Sequence, residues 1–269
     1  MALWTPAQIS TEFWVDASDS STLFDATTGG STPADGDPVA RWEDKSGNGR
    51  HVTQSTLGQR PLRQTASQNS LDIVEFDGSD DNLNRSAFMP NTFTAFMVGK
   101  KRDLSVVRMA WLSQNNNTFN AGRLILFSER NLGSILARLQ VGTFGDATGT
   151  PSGAFSQWGY TRNGTSGNVY RNAVGTSVTT GSATIQAVDF SLGRDNNANT
   201  TGCTDMDIGE VIVLSGVAST SDRQIIEGYL AWKWGIQGDL PAGHPYEFSA
   251  PTIGTKDNRR RRYAGGYGL

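Results

Sequence analysis

The sequence is poor in the residues that build metal and thiol chemistry: its 269 residues include one cysteine and two histidines. A lone Cys203 closes no intrachain disulfide, so the fold must be held by packing. His51, His244 and Cys203 share no ligand spacing, which argues against a zinc site. No G-x-S-x-G elbow, Walker loop or dinucleotide fingerprint occurs, and this removes the commonest hydrolase and nucleotide-binding motifs. Long apolar runs are missing too, since no stretch approaches the roughly 18 residues of a membrane-spanning helix. The opening MALWTPAQISTEFW has neither a basic region nor an apolar core, so no secretory signal is expected. Without one, the sequons at Asn84, Asn116, Asn163 and Asn199 mean little. No internal repeat is visible, which argues against a propeller or solenoid.

What is present is short strands and turns. Apolar and polar residues alternate in EFWVD (12–16), VARWE (39–43), LDIVEF (71–76), FTAFMVGK (93–100), RMAWLS (108–113) and RLILFS (123–128). The pattern continues in ILARLQV (135–141), SQWGYTR (156–162), NVYRNAV (168–174), VDFSLGR (188–194) and IGEVIVL (208–214). Such alternation predicts antiparallel sheets with one wet face. The 31 glycines suit tight turns, and Asp77-Gly78 and Asn163-Gly164 carry hairpin chemistry. One segment breaks the rhythm. Ser221 and Gln224 have capping-box spacing, and Ile225, Ile226, Tyr229, Leu230 and Trp232 recur at helical steps. Gly235, Pro241 and Pro245 forbid continuation, which predicts one helix over 221–234, with Ile226 and Leu230 buried against a sheet.

FWVDASDSSTLF, VARWEDKSGNGRHVTQ, RPLRQ and DIVEFDGSDDNL appear in that order, followed by DIGEVIVLSG and EGYLAWKWG. This series resembles the laminin-G-like, concanavalin A-like jelly-roll family, in the form common among bacteriophage and bacterial proteins. The resemblance spans residues 10–246 and implies an all-β, antiparallel two-sheet jelly-roll sandwich with one C-terminal α-helix. It also implies carbohydrate binding or a virion structural role. The expected domain covers residues 1–251, with 252–269 as a flexible basic arm.

Several groups are candidate sites. Asp205, Asp207 and Glu210 imitate the acidic strand of laminarinase-like glucanases in the same superfamily, where retaining hydrolysis needs two carboxyls about 5–5.5 Å apart. Here the first acid is one methylene short and the strand precedes the final helix, so a structural strand and no catalysis are expected. Asp195, Asn197 and Asn199 have the 1-3-5 spacing of a calcium loop, with Asp205 and Asp207 downstream as further oxygen ligands. Calcium is the metal this spacing would take, and no other cofactor is expected. Trp111, Trp158 and Tyr160 are candidate platforms for sugar rings, against the base rate that sandwich aromatics are core. His244, in AGHPY, is read as fixing the chain reversal after the helix.

The net charge of −3 hides an asymmetry. Residues 255–269 hold Lys256 and Arg259, Arg260, Arg261 and Arg262 against Asp257, a charge of +4, which leaves the body at −7. That tail cannot fold alone and reads as an assembly arm anchored by Tyr263 and Tyr267. The acidic body disfavours nucleic acid, and no membrane partner is expected. Together these features lead to a bacteriophage virion protein, made in the host cytoplasm, that decorates or cements a capsid without enzymatic activity. Its partners would be the major capsid protein and further copies of itself. The alternatives are a host-glycan-binding module of a tail or fibre, and a glycan hydrolase.

Overall fold

Alternating residues fall into two antiparallel sheets in a computed structural model that describes residues 2–104, 110–114, 122–128, 135–195 and 202–254. In chain order the strands begin with β1 (Phe13–Asp16), β2 (Leu23–Phe24), β3 (Arg41–Trp42), β4 (Val52–Thr53), β5 (Leu62–Gln68) and β6 (Leu71–Asp77). Next come β7 (Leu83–Arg85), β8 (Phe93–Lys101), β9 (Ala110–Gln114), β10 (Leu124–Ser128), β11 (Ile135–Val141) and β12 (Thr143–Thr148). The last are β13 (Ser156–Asn163), β14 (Ser166–Arg171), β15 (Val174–Thr179), β16 (Phe190–Leu192) and β17 (Asp205–Ser215). The first sheet runs β15-β14-β13-β8-β17-β6-β5, with β1 also paired to β17. The second runs β12-β11-β10-β9-β16-β7-β4-β3-β2. The chain is therefore the expected jelly-roll sandwich.

Inward-facing residues of both sheets form the main core, in which Phe13, Trp42, Phe76, Trp111 and Phe190 are fully buried. A second apolar layer lies on the outer face of the first sheet. There α1 (Thr220–Lys233) lays Ile225, Ile226, Leu230 and Ala231 over Phe96, Val98, Ile212 and Leu214. Ile226 and Leu230 are both buried, as the apolar stripe requires. The helix begins two residues earlier than the Ser221 box implies. Ser219 is the cap, and its hydroxyl accepts the Asp222 N–H at 3.1 Å. Both serines have the chemistry of a cap, and the earlier one adds two residues, about half a turn, to the helix. Trp232 lies half-buried off the stripe, while Trp234 fills the core below the helix end. His244 does close the reversal: its Nε2 lies 3.3 Å from Glu227 Oε2, and its Nδ1 accepts the Tyr246 N–H.

Strand β17 is central and changes phase midway. Met206 and Ile208 point into the sandwich; past Gly209, Val211 and Val213 do so instead. The register against β8 slips between Ile208 and Glu210, the mark of a bulge. As a result Glu210, Ile212 and Leu214 share the outer, helix-covered face. Gly209 is required there, because a Cβ would lie 2.6 Å from the Trp234 ring.

Two turns differ from expectation. Asp77-Gly78 makes no hairpin; it leads from β6 in one sheet to β7 in the other. NVYRNAV is not one strand, because Asn172 and Ala173 take φ of 46° and 69° and turn β14 back into β15. Asn can adopt that left-handed region at low cost, and the turn matches the sheet twist. Arg259 to Arg262, Tyr263 and Tyr267 of the expected arm lie outside the described residues.

Candidate functional site

Strand β1 alternates strictly. Phe13 and Val15 enter the sandwich, so Trp14 and Asp16 face outward beside the helix. In the β1–β17 register Asp16 stands directly opposite Glu210. Cross-strand like charges repel at this spacing. Helix α1 supplies the remedy: Lys233, in its last turn, places Nζ 2.6 Å from Asp16 Oδ1 and 2.7 Å from Glu210 Oε2. Glu210 has no exposed surface and accepts four bonds in all. The others come from Trp14 Nε1 at 2.7 Å, Tyr229 OH at 2.9 Å and Trp234 Nε1 at 3.0 Å. Burial pushes its carboxyl above the usual range, against the pull of the Lys233 ammonium. Asp16 is also desolvated, but the ammoniums of Lys233 and Lys45 outweigh this and hold it below the usual range.

Over this buried network opens a cleft of about 610 Å³. Its apolar walls include Trp4, Trp14, Tyr229 and Trp232, of which Trp232 is the most open. Trp4 meets Tyr229 edge-on at 5.8 Å, and Trp232 is oriented by its Nε1 bond to the Tyr246 carbonyl at 2.8 Å. The polar side is Asp16, Asp19, Lys45 and Lys233. Lys45 Nζ contacts Asp16 Oδ2 at 3.1 Å and Asp19 Oδ2 at 2.7 Å, and sits 4.6 Å from the Trp14 ring centroid. Aromatic rings beside charged hydrogen-bonding groups suit a ligand with apolar C–H faces and many hydroxyls.

The candidates read from sequence lie elsewhere. Trp111 and Tyr160 are 0% exposed, with ring centroids 5.5 Å apart inside the sandwich, so neither offers a face to a ligand. Trp158 is also buried, on the floor of a second cavity of about 390 Å³, with the Arg171 guanidinium 5.3 Å from its ring centroid. Of the calcium loop, Asp195 pairs with Arg123, while Asn197 and Asn199 lie outside the described residues. Asp205 and Asp207, assigned there as extra ligands, sit on β17 among Lys100 and Arg102. Asp77, Asp80 and Asp81 instead bring carboxylate oxygens within 4.8 Å of one another. Burial, then the charges of Asp77 and Asp80, raise Asp81 to about 6.

No family model matches the chain, and no curated protein matches it. Solved structures do. Domain 4 of AbnA, a GH43 extracellular arabinanase from Geobacillus stearothermophilus, in complex with arabinotriose, superposes with a TM-score of 0.52 and 13% identity. That match covers 70% of this chain and 97% of the domain. Trypanosoma rangeli sialidase in complex with sialic acid gives a TM-score of 0.54 at 12% identity, over 87% of this chain but 34% of the sialidase. This chain thus spans about a third of the sialidase's length. Likeness at such identities establishes the fold alone, a concanavalin-like sandwich.

Two expectations are corrected by these neighbours. The capsid-decoration reading is overturned, because the matched structures belong to carbohydrate-active proteins and favour the glycan alternative. The exclusion of enzymatic activity also falls, since arabinanase and sialidase chains carry this sandwich. The first reading rested on the basic tail and on the missing signal peptide and disulfides, the second on the β17 acids and the absent zinc and hydrolase motifs, and none of these features lies in the cleft.

Proposed function

We propose that the protein is a carbohydrate-binding domain that holds a glycan in the cleft between β1 and the end of α1. The observation that carries this reading is the cleft itself, whose walls are shared by the half-buried Trp232 ring and the paired Lys45 and Asp19. A sugar presents C–H faces to an indole and hydroxyls to an ammonium and a carboxylate, so this pairing matches its two kinds of surface. The arabinotriose-bound neighbour supports the reading at the level of fold, and so does the laminin-G-like resemblance of the sequence. Oligosaccharide-array binding followed by calorimetry tests it. Trp232→Ala is expected to weaken binding at least about tenfold, a loss of roughly 1.4 kcal/mol, with the fold retained. Binding unaffected by Trp232→Ala would move the site elsewhere. Release of reducing ends in the same incubations would add turnover to binding.

A further inference from the structure

The charged groups of the cleft are already matched to one another, and the pattern restricts what can enter. Lys233 has three N–H donors, and all three are engaged: Asp16 at 2.6 Å, Glu210 at 2.7 Å and the Tyr229 hydroxyl at 3.1 Å. Lys45 uses two, on Asp16 and Asp19, and keeps one. Asp16 is filled by both lysines and by the Ser18 N–H and hydroxyl. Asp19 accepts from Lys45 and from Ser21 Oγ at 2.6 Å, and its side chain is 36% exposed. A carboxylate has about four acceptor positions, so Asp19 retains capacity. The cleft therefore offers one ammonium donor and one carboxylate acceptor, side by side. In sum, the carboxylates of Asp16, Asp19 and Glu210 face the two ammoniums of Lys45 and Lys233, so near neutral pH the cluster carries no excess positive charge.

Resting on the glycan-binding reading, we infer that the cleft selects uncharged sugars and discriminates against uronates, sialosides and sulfated glycans. A vicinal diol fits the open pair: one hydroxyl donates to Asp19 while its neighbour accepts from Lys45, two charge-assisted bonds to a neutral group. An anionic sugar finds no unmatched cation. It would instead bring its charge against Asp19, with like-charge juxtaposition as the discriminating element.

The test is calorimetry at low ionic strength with neutral pentose and hexose oligosaccharides and with size-matched chains ending in a uronate or sialate. Neutral chains are expected to bind, and the acidic ones at least about tenfold more weakly. Asp19→Asn should narrow that gap, because it removes the repelling charge while keeping a carbonyl acceptor; circular dichroism verifies the fold. Acidic chains binding as tightly as neutral ones, or a gap unmoved by Asp19→Asn, would overturn the selectivity and leave the binding reading standing. Binding of neither class would overturn the binding reading, and the selectivity with it.

Discussion

Asp16 and Glu210 face each other across adjacent antiparallel strands, and a single ammonium from Lys233 joins them. Strand pairing alone would make this contact repulsive, so docking of α1 is what renders β1–β17 pairing tolerable at that register. Helix and sheet are coupled through one proton-rich atom.

Removing that atom should therefore reverse the contribution of Asp16 to the pH response. In the intact protein Asp16 titrates below its unfolded value, so its contribution is present above the ordinary Asp range and is lost as pH falls through the lower folded value. Lys233→Met leaves two buried carboxylates opposed. The variant is expected to lose about 3–5 kcal/mol near neutral pH, the cost of breaking a buried pair. It should recover stability as pH falls and one acid takes up a proton. Urea midpoints at pH 4.5 and pH 7.5 check both statements.

Leu230 is fully buried between α1 and the first sheet. Leu230→Ala is expected to cost about 2–5 kcal/mol through lost burial and the cavity left behind. An unchanged denaturation midpoint would mean that the helix is not docked as described.

Gly209 lies under the Trp234 ring at the β17 bulge. Adding one methyl there, as Gly209→Ala, forces the indole aside, and overpacking of this sort costs about 1–3 kcal/mol. Because Trp234 also donates to Glu210, its fluorescence should shift along with the loss of stability.

Asp81 is raised to about 6 by burial and by Asp77 and Asp80. A raised acid in the folded state binds more protons than in the unfolded chain, so stability falls as pH climbs from the ordinary Asp range to about 6. Asp81→Asn keeps an acceptor for the Asp77 N–H and removes the charge. It should stabilise the protein at pH 8, on the order of 1 kcal/mol after allowance for solvent screening, and do little at pH 4. Thermal melts across that range decide it.

Strand positions were legible because period-two alternation is a local property, and the helix because its apolar stripe is local too. The cleft was not. Trp4, Trp14, Asp16 and Lys45 come from the start of the chain and Tyr229, Trp232 and Lys233 from its end, so their convergence depends on β1 pairing with β17. One signal was available: Trp14 and Asp16 alternate with Phe13 and Val15, which marks them as the outward pair of a strand. Glu210 lies on the strand expected to be structural, and its four donors are fixed by tertiary packing. Trp111, Trp158 and Tyr160 attracted attention as platforms because sequence does not separate a ring facing the other sheet from one facing water. The phase change at Gly209 is equally silent, since the Trp234 ring that packs against it comes 25 positions later.

The described chain begins and ends in the same place. Trp4 N–H donates to the Pro251 carbonyl at 3.0 Å, Leu3 bridges Thr252, and Ile253 N–H donates to the Ala2 carbonyl at 2.9 Å. Leu3, Trp4, Ala250 and Pro251 are also part of the cleft wall. The first and last described residues thus adjoin the wall of the cleft proposed to hold a glycan. A fluorophore on residue 2 would sit beside that wall, and its emission is expected to respond when an oligosaccharide is added.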